Sequence, residues 1–281
     1  MPNKTFSIYS SKEHLQGEAG SQLLVEVGRQ HLALLLLQQN LKIVEAFELF
    51  NFGADELRDF ALLFASISKS SVLLGKSYYK AEVFFNNEVS LLVPIFKFNK
   101  EIAADYLNVV FGEDPTSQIL FEHLPLESGM MNTFRVDTAC HQVLTTALPN
   151  ATFRHSWSKI IRLLEARSTT SAAELITVFF YEKRMTVVVS KDQKLHLIQS
   201  LIYATAEDVT YHLLNIKERL QLGAGLTIQV SGIINKDEDI YRQLTEYFEH
   251  VTIANADTTN VALDISQHPS HYFTPFFNLA L

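Results

Sequence analysis

LLVEVGRQHLALLLL, the stretch at residues 23–37, has a counterpart in LITVFFYEKRMTVVV at residues 175–189. Each contains two apolar runs joined by a short polar turn, which is the pattern of an antiparallel hairpin. The likeness extends without a gap from residues 23–64 to residues 175–216, at an offset of 152 positions (175 minus 23). A third apolar run and an acidic helix start follow in both segments. The sequence therefore predicts one unit of three strands and a helix, present twice.

The duplication predicts two domains. The polar residues 167–171 have no apolar periodicity and are the best candidate for a linker. We therefore expect a first domain at residues 1–168, with inserted strands and helices, and a second domain at residues 169–281. Residues 272–281 include four aromatic and three aliphatic side chains. A chain end this apolar is expected to be buried, and we expect it to pack back on the first domain.

Apolar residues at spacings of three or four predict amphipathic helices between the strands. Gly112 is expected to end one of these helices, because glycine is common just past a helix C-terminus. The predicted helices cover residues 57–67, 100–111, 138–148, 156–166, 207–220 and 237–250. Their alternation with strands indicates an α/β protein.

The composition is that of a folded globular protein. Hydrophobic residues make up 47% of the 281 residues and charged residues 19%. The net charge of −8 argues against a nucleic-acid partner, because neutralising phosphates requires a basic surface. No apolar run approaches the ~20 residues that span a bilayer, so we expect no direct membrane insertion.

The sequence also predicts where the protein resides. Residues 1–6 lack the basic start and apolar core of a secretory signal. The single cysteine, Cys140, cannot form an internal disulfide and suits a reducing compartment. We therefore expect a cytoplasmic protein.

The predicted element order resembles that of a known superfamily. Strand, strand, strand, helix, strand, helix, strand is the core order of the ribonuclease H-like unit, and two such units in one chain resemble the actin-like ATPase superfamily. Residues 148–155 before a helix and residues 271–273 are similar to the DUF3822 family of uncharacterised bacterial proteins. Members of that family are similar in fold to the actin-like protein of type IV pilus assembly. The resemblance implies a duplicated ribonuclease H-like fold, with two mixed sheets flanked by helices around a cleft.

The resemblance also indicates where a nucleotide site would lie. In nucleotide-binding members, the first hairpin turn offers backbone N–H groups to phosphates, and an Asp organises the metal ion. Here Glu26 stands in place of that Asp, and Gly28 is kept. A later turn that contacts adenosine is normally rich in glycine, and here Ser231-Gly232 retains one. The candidate nucleotide-site positions are therefore Glu26, Gly28, Ser231 and Gly232.

The second hairpin departs from the superfamily pattern. It has neither Gly nor Asp, and Phe179, Phe180 and Tyr181 approach its turn. Without a metal carboxylate and a phosphate cradle in this half, the electrostatic basis of phosphoryl transfer is missing. We expect these rings to narrow the cleft where a phosphate would sit, and we predict no catalytic residue and no cofactor. The alternative is Mg²⁺-ATP, with Glu26 binding the metal through water. For Glu26, a charged residue near an exposed turn is the plainer interpretation.

Other chemistry has weaker support. His268 and His271 are three residues apart, but Pro269 lies between them and no third ligand is near, so we predict no metal site. Ser231-Gly232 lacks the flanking glycine pattern of a hydrolase nucleophile. A nuclease would need several carboxylates at strand ends, where apolar and amide residues predominate.

These observations favour a non-catalytic actin-like scaffold that binds a protein partner of unknown identity. The alternative is an ATP-binding or ATP-hydrolysing enzyme of the actin and sugar-kinase superfamily. A hydrolase or nuclease is a third hypothesis.

Overall fold

A computed structural model of the chain describes residues 2–10, 20–38, 42–53, 55–124, 129–166 and 174–281. The chain divides into two compact units. The first consists of Met1–Arg162, Thr258–Asp264 and Leu279–Leu281, and the second of Leu163–Asp257 and Ile265–Asn278.

Among its described residues, the first unit contains nine strands, three complete α-helices and the start of a fourth. In chain order these elements are β1 (Asn3–Tyr9), β2 (Ser21–Gly28), β3 (His31–Gln38), β4 (Ile43–Asn51), α1 (Phe60–Ser70), β5 (Lys80–Asn86), β6 (Ser90–Pro94), α2 (Ala103–Phe111), β7 (Ser117–Leu124), β8 (Met130–Asp137), α3 (Thr138–Ala147), β9 (Ala151–His155) and α4 (Ser156–Ala166). Gly112 follows α2 with a φ of +78°, as its predicted role as a helix terminator requires.

A six-stranded mixed sheet forms the centre of the first unit, in the order β1-β4-β3-β2-β5-β9. The pairs β2–β5 and β5–β9 are parallel, and the other pairs are antiparallel. Leu23 and Val25 of β2 pack with Phe64 and Ile67 of α1 and Leu144 of α3 in one hydrophobic core. The elements inserted between β5 and α3 add a three-stranded antiparallel sheet, β6-β8-β7, on which α2 packs.

The second unit is built on a five-stranded mixed sheet. Its elements are β10 (Glu174–Tyr181), β11 (Arg184–Lys191), β12 (Lys194–Ile202), α5 (Ala206–Arg219), β13 (Thr227–Gly232), α6 (Asp239–Tyr247), β14 (His250–Ile253), a 3-10 helix (Ser270–Phe273) and α7 (Thr274–Phe277). A capping box between Thr205 and Asp208 begins α5, whose 14 residues make it the longest helix in the described part of the chain. In that part, no helix is long and apolar enough to cross a membrane.

The two large sheets share their topology. The order β12-β11-β10-β13-β14 repeats β4-β3-β2-β5-β9, and the parallel and antiparallel pairs fall at the same places. Helices pack beside both sheets, so the predicted α/β class with mixed sheets flanked by helices is confirmed.

The structure corrects the register of the repeat by one residue. The pair Val27–Leu32 near the first hairpin turn corresponds to Phe180–Met185 in the second, an offset of 153 (180 minus 27). Val27 and Phe180 also both face the core of their unit. The strands are buried on both faces, so their apolar runs carry no alternation that would fix the register. Gly28 therefore corresponds to Tyr181.

The predicted domain boundary at residue 168 and the linker at residues 167–171 lie outside the described residues, so both stay predictions. The tail is divided between the units. Residues up to Asn278 belong to the second unit, and only Leu279–Leu281 belong to the first. This differs from the expected packing of residues 272–281 on the first domain, because the rings of the tail are buried against β10 and β13.

Candidate functional site

The side chain of Glu26 is fully buried at the end of β2, with an exposed fraction of 0%. His31 Nε2 lies 2.8 Å from its Oε1 and donates a hydrogen bond to it, and Asn86 Nδ2 donates to the same oxygen at 3.2 Å. Ser156 Oγ donates to Oε2 at 2.9 Å. The interpretation of Glu26 as a charged residue near an exposed turn is therefore wrong. The structure shows a buried carboxylate with three polar partners.

The topology explains why these residues meet. The carboxyl ends of the parallel strands β2, β5 and β9 lie at one edge of the sheet, the edge at which α/β proteins commonly form sites. Asn86 ends β5, and Ser156 begins α4 directly after β9. His31 begins β3 and returns beside Glu26 across the hairpin. Four separate elements therefore supply this site.

Gly28 provides space for the ring of His31. A Cβ atom built on Gly28 would lie 2.1 Å from His31 Cε1, far inside van der Waals contact. The imidazole therefore lies against the backbone where a side chain would otherwise be. At the turn itself, Arg29 forms an ion pair with Glu88 at 2.9 Å.

Three aromatic residues precede the turn of the second hairpin, on alternate faces of β10. Phe180 packs in the core of its unit beside Val209 and Leu213. Phe179 and Tyr181 lie on the opposite face and are also buried. The Tyr181 ring meets Phe276 of α7 edge-on, with centroids 5.9 Å apart. Phe180 therefore packs in the core of the second unit. That Phe179 and Tyr181 narrow a cleft where a phosphate would sit stays a prediction.

Ser231 and Gly232 end β13 in the second unit. Gly232 has a φ of +86°, and a Cβ atom there would lie 2.1 Å from the Phe180 carbonyl oxygen. This glycine is needed for the close approach of β13 to β10. Ser231 is fully buried opposite Phe179, and its hydroxyl has no hydrogen-bond partner in the described part of the chain. The structure thus places Glu26 and Gly28 in one unit and Ser231 and Gly232 in the other.

Sequence reasoning missed His31, Asn86 and Ser156. A signal for them is present, because each is a polar residue at the start or end of an apolar strand or at the start of the helix that follows one. Strand ends that meet at one sheet edge bring such residues together. Identifying them required the strand order as well as the individual strands.

The two tail histidines lie in different surroundings. His271 is buried, and its Nε2 lies 2.7 Å from the Ile234 carbonyl oxygen, to which it donates. The His268 ring packs edge-on against Phe273. Within the described ranges, no group of three or more His, Cys, Asp or Glu side chains is arranged to hold a metal ion.

The paired mixed sheets define an α/β protein of the actin-like ATPase fold. A crystal structure from Bacteroides thetaiotaomicron VPI-5482, described as a protein with this fold and unknown function, aligns with a TM-score of 0.74 at 14% identity. The alignment covers 84% of this chain and 91% of that one. A chain of the PilM–PilN type IV pilus biogenesis complex aligns with a TM-score of 0.62 at 14% identity, covering 92% of this chain and 96% of that one.

The sequence comparisons name the family. Residues 10–251 match the protein family of unknown function DUF3822, and the chain belongs to this family. No curated protein sequence matches the chain significantly. At 14% identity the two structural likenesses establish the fold alone.

Proposed function

We propose that this protein is a non-catalytic, actin-like binding scaffold with a degenerate nucleotide site. The observation that carries the proposal is the state of the Glu26 carboxylate. A carboxylate that organises Mg²⁺ and its waters must present its oxygens to the ion. Both oxygens of Glu26 are instead bound by His31, Asn86 and Ser156 in a fully buried position.

The hairpin backbone supports the same proposal. Phosphate binding by backbone N–H groups requires an open, close approach to the turn. The imidazole of His31 fills the space beside Gly28, and Tyr181 takes the corresponding position in the second hairpin. The residues present do not fit Mg²⁺-ATP, so no phosphoryl-transfer step is assigned to them.

A protein partner and a cytoplasmic location belong to this proposal. PilM, which shares the fold, is seen in a complex with PilN. A scaffold without catalysis acts by binding, and a protein is the class of partner that this likeness favours. Burial raises the pKa of the Cys140 thiol, and a lone neutral thiol suits a reducing compartment.

Nucleotide titration tests the proposal. Mg²⁺-ATP and Mg²⁺-ADP at about 1 mM are expected to produce no binding heat and no change in melting temperature. A ligand with a Kd of about 10 μM would stabilise the fold by about 2.7 kcal/mol at that concentration. In a chain of this size, such stabilisation raises the melting temperature by about 5 °C or more. A Mg²⁺-dependent rise of that kind would overturn the proposal in favour of an ATP-binding enzyme of the superfamily.

A further inference from the structure

The chain that follows β14 passes between the two units three times. Residues Thr258–Asp264 belong to the first unit, Ile265–Asn278 to the second, and Leu279–Leu281 to the first again. A segment that only completed one domain would lie on that domain throughout. We call residues 258–281 the strap, because it has attachments in both units.

The first attachment of the strap lies on the outer edge of β4. Val44 N donates a hydrogen bond to the Asn260 carbonyl oxygen at 2.9 Å, and Ala262 N donates to the Val44 carbonyl oxygen at 2.9 Å. Val261 thereby forms a parallel β-bridge with Val44. Residues 260–262 therefore extend the edge of the six-stranded sheet through backbone atoms.

The second attachment is the part of the strap that is buried in the second unit. His271 Nε2 donates to the Ile234 carbonyl oxygen at 2.7 Å, and Thr274 Oγ1 donates to the Ala254 carbonyl oxygen at 3.1 Å. The phenylalanine rings of the 3-10 helix and of α7 are almost fully buried. This attachment is the strongest, because it combines buried apolar area with hydrogen bonds.

The third attachment returns the strap to the first unit at α4. Lys159 Nζ donates to the Leu281 carbonyl oxygen at 2.7 Å, and Leu279 is buried. Burial lowers the pKa of Lys159, three nearby cations add to the shift, and Glu82 opposes it. A lysine at this position costs the first unit desolvation of the amine, and the hydrogen bond to the strap offsets that cost.

The links between these attachments are short. Six residues separate Ala254 from Asn260 (260 minus 254), and three separate Asn278 from Leu281 (281 minus 278). A fully extended chain spans at most about 3.6 Å per residue, so the shorter link reaches at most about 11 Å. A motion that carried its two ends further apart would have to break one of the attachments. Two units of one chain otherwise move relative to each other by default.

We propose that residues 258–281 act as a strap that limits the relative motion of the two units and is released at its attachments in the first unit. Each of those attachments consists of one or two hydrogen bonds with little buried side chain, whereas the attachment in the second unit contains several buried rings. The first-unit attachments are therefore the ones that open first. The inference goes beyond the scaffold proposal and does not depend on the nucleotide site.

The distance between two spin labels, one in each unit, measures this motion. Leu62→Cys on α1 and Tyr211→Cys on α5 place the labels at side chains that are 69% and 66% exposed. Cys140 is buried and its raised pKa keeps the thiol protonated, so the introduced cysteines are labelled selectively. Double electron–electron resonance on the full chain should give a narrow distance distribution.

Two substitutions release the strap from the first unit. Lys159→Met removes the donor to Leu281, and Ala262→Pro removes the N–H that bonds to Val44. We expect the double variant to have a distance distribution about twice as wide as that of wild type. Lys69→Met and Ala262→Ser are the matched controls, since Lys69 is exposed on α1 and serine keeps the N–H. Both controls should leave the width unchanged.

Equal widths in wild type and in the double variant would overturn the proposal, as would equal broadening in the controls. Circular dichroism checks that each variant is folded. If Ala262→Pro does not fold, Lys159→Met alone is compared with Lys69→Met, and an unchanged width then contradicts the strap. No nucleotide is present in this measurement, so its outcome is independent of the titration with Mg²⁺-ATP.

Discussion

The imidazole of His31 lies in the volume that a side chain on Gly28 would occupy. Gly28→Ala must therefore displace the ring, which holds the Glu26 carboxylate, and we expect a loss of stability of about 1–3 kcal/mol. In Gly28→Ala combined with His31→Ala the clash is absent, so the combined loss should be smaller than the sum of the single losses. Urea unfolding measures all three variants.

The control for this prediction is Gly225→Ala, because a Cβ atom at Gly225 meets nothing within 4 Å. Its stability should stay within about 0.5 kcal/mol of wild type. Strictly additive losses for Gly28→Ala and His31→Ala would mean that the two residues do not compete for the same space.

The sequence identifies Glu26 and Gly28 as candidate site residues, but it does not predict that Glu26 is buried or which residues surround it. The hairpin pattern places both residues near a turn, and a turn normally suggests exposure. Burial of Glu26 depends on Ser156, which is 130 positions away in the chain. A carboxylate within an apolar run, such as Glu26, indicates a buried polar site, because burial of a charge requires several hydrogen-bond donors. The sequence pattern does not identify which residues donate those hydrogen bonds.

At the scale of elements, a second buried carboxylate joins the edge strand β1 to the rest of its sheet. Glu48 on β4 accepts hydrogen bonds from Lys4 at 2.7 Å, from the Tyr9 and Ser71 hydroxyls, and from Val72 N at 3.0 Å. Burial opposes ionisation of Glu48, but these hydrogen bonds outweigh burial and lower its pKa. Ionised Glu48 therefore stabilises the attachment of β1 and of the segment after α1.

The lowered pKa predicts a pH dependence. The stabilisation by Glu48 is fully present above its ordinary pKa of about 4.5 and is lost as the pH falls through the lower pKa of the folded state. Glu48→Gln should be less stable than wild type at pH 7, and the gap should narrow as the pH falls below about 4.5. Urea unfolding of both proteins between pH 7 and pH 3 measures the gap. A gap of constant size would show that the charge of Glu48 contributes nothing.

The elements themselves were largely predictable, and their register was not. Gly112 ends α2 as expected, and the apolar runs of β2, β3, β10 and β11 are strands. The predicted alignment of the two repeats was wrong by one residue because Leu23, Leu24 and Val25 are all buried. With neither face of β2 marked by polar residues at these positions, the sequence pattern does not fix the register. Register in such strands is determined by the hairpin turn and by the layers above and below the sheet.

At the scale of the whole molecule, the fold and the site carry different information. The topology assigns the chain to the actin-like ATPase fold, and a fold by itself does not determine a function. The proposal of a scaffold comes from Glu26, Gly28 and His31, all of which lie in the large sheet of the first unit.

The last prediction concerns the C-terminal tail, residues 272–281, whose phenylalanine rings are buried against other parts of the same chain. Phe273, Phe276 and Phe277 have exposed fractions of 0 to 2%, and α7 packs on β10 and β13. Lys159 Nζ donates to the Leu281 carbonyl oxygen at 2.7 Å within the first unit. Deleting residues 272–281 removes several buried rings, each contributing about 2 kcal/mol, so the truncated chain should unfold at much lower urea or fail to fold.

A milder variant keeps this last prediction measurable if the truncated chain does not fold. Phe277→Ala leaves a cavity beside Phe273, whose ring it stacks on at 5.3 Å, and should cost about 3–5 kcal/mol. Tyr211→Ala, at a ring that is 66% exposed, should cost less than about 1 kcal/mol. The oligomeric mass of folded Phe277→Ala should match wild type, since Phe277 is buried within its own chain. If truncation left the unfolding curve unchanged and abolished only self-association, the tail would instead be an intersubunit segment, because its rings would then be buried by a second copy and not by their own sheet.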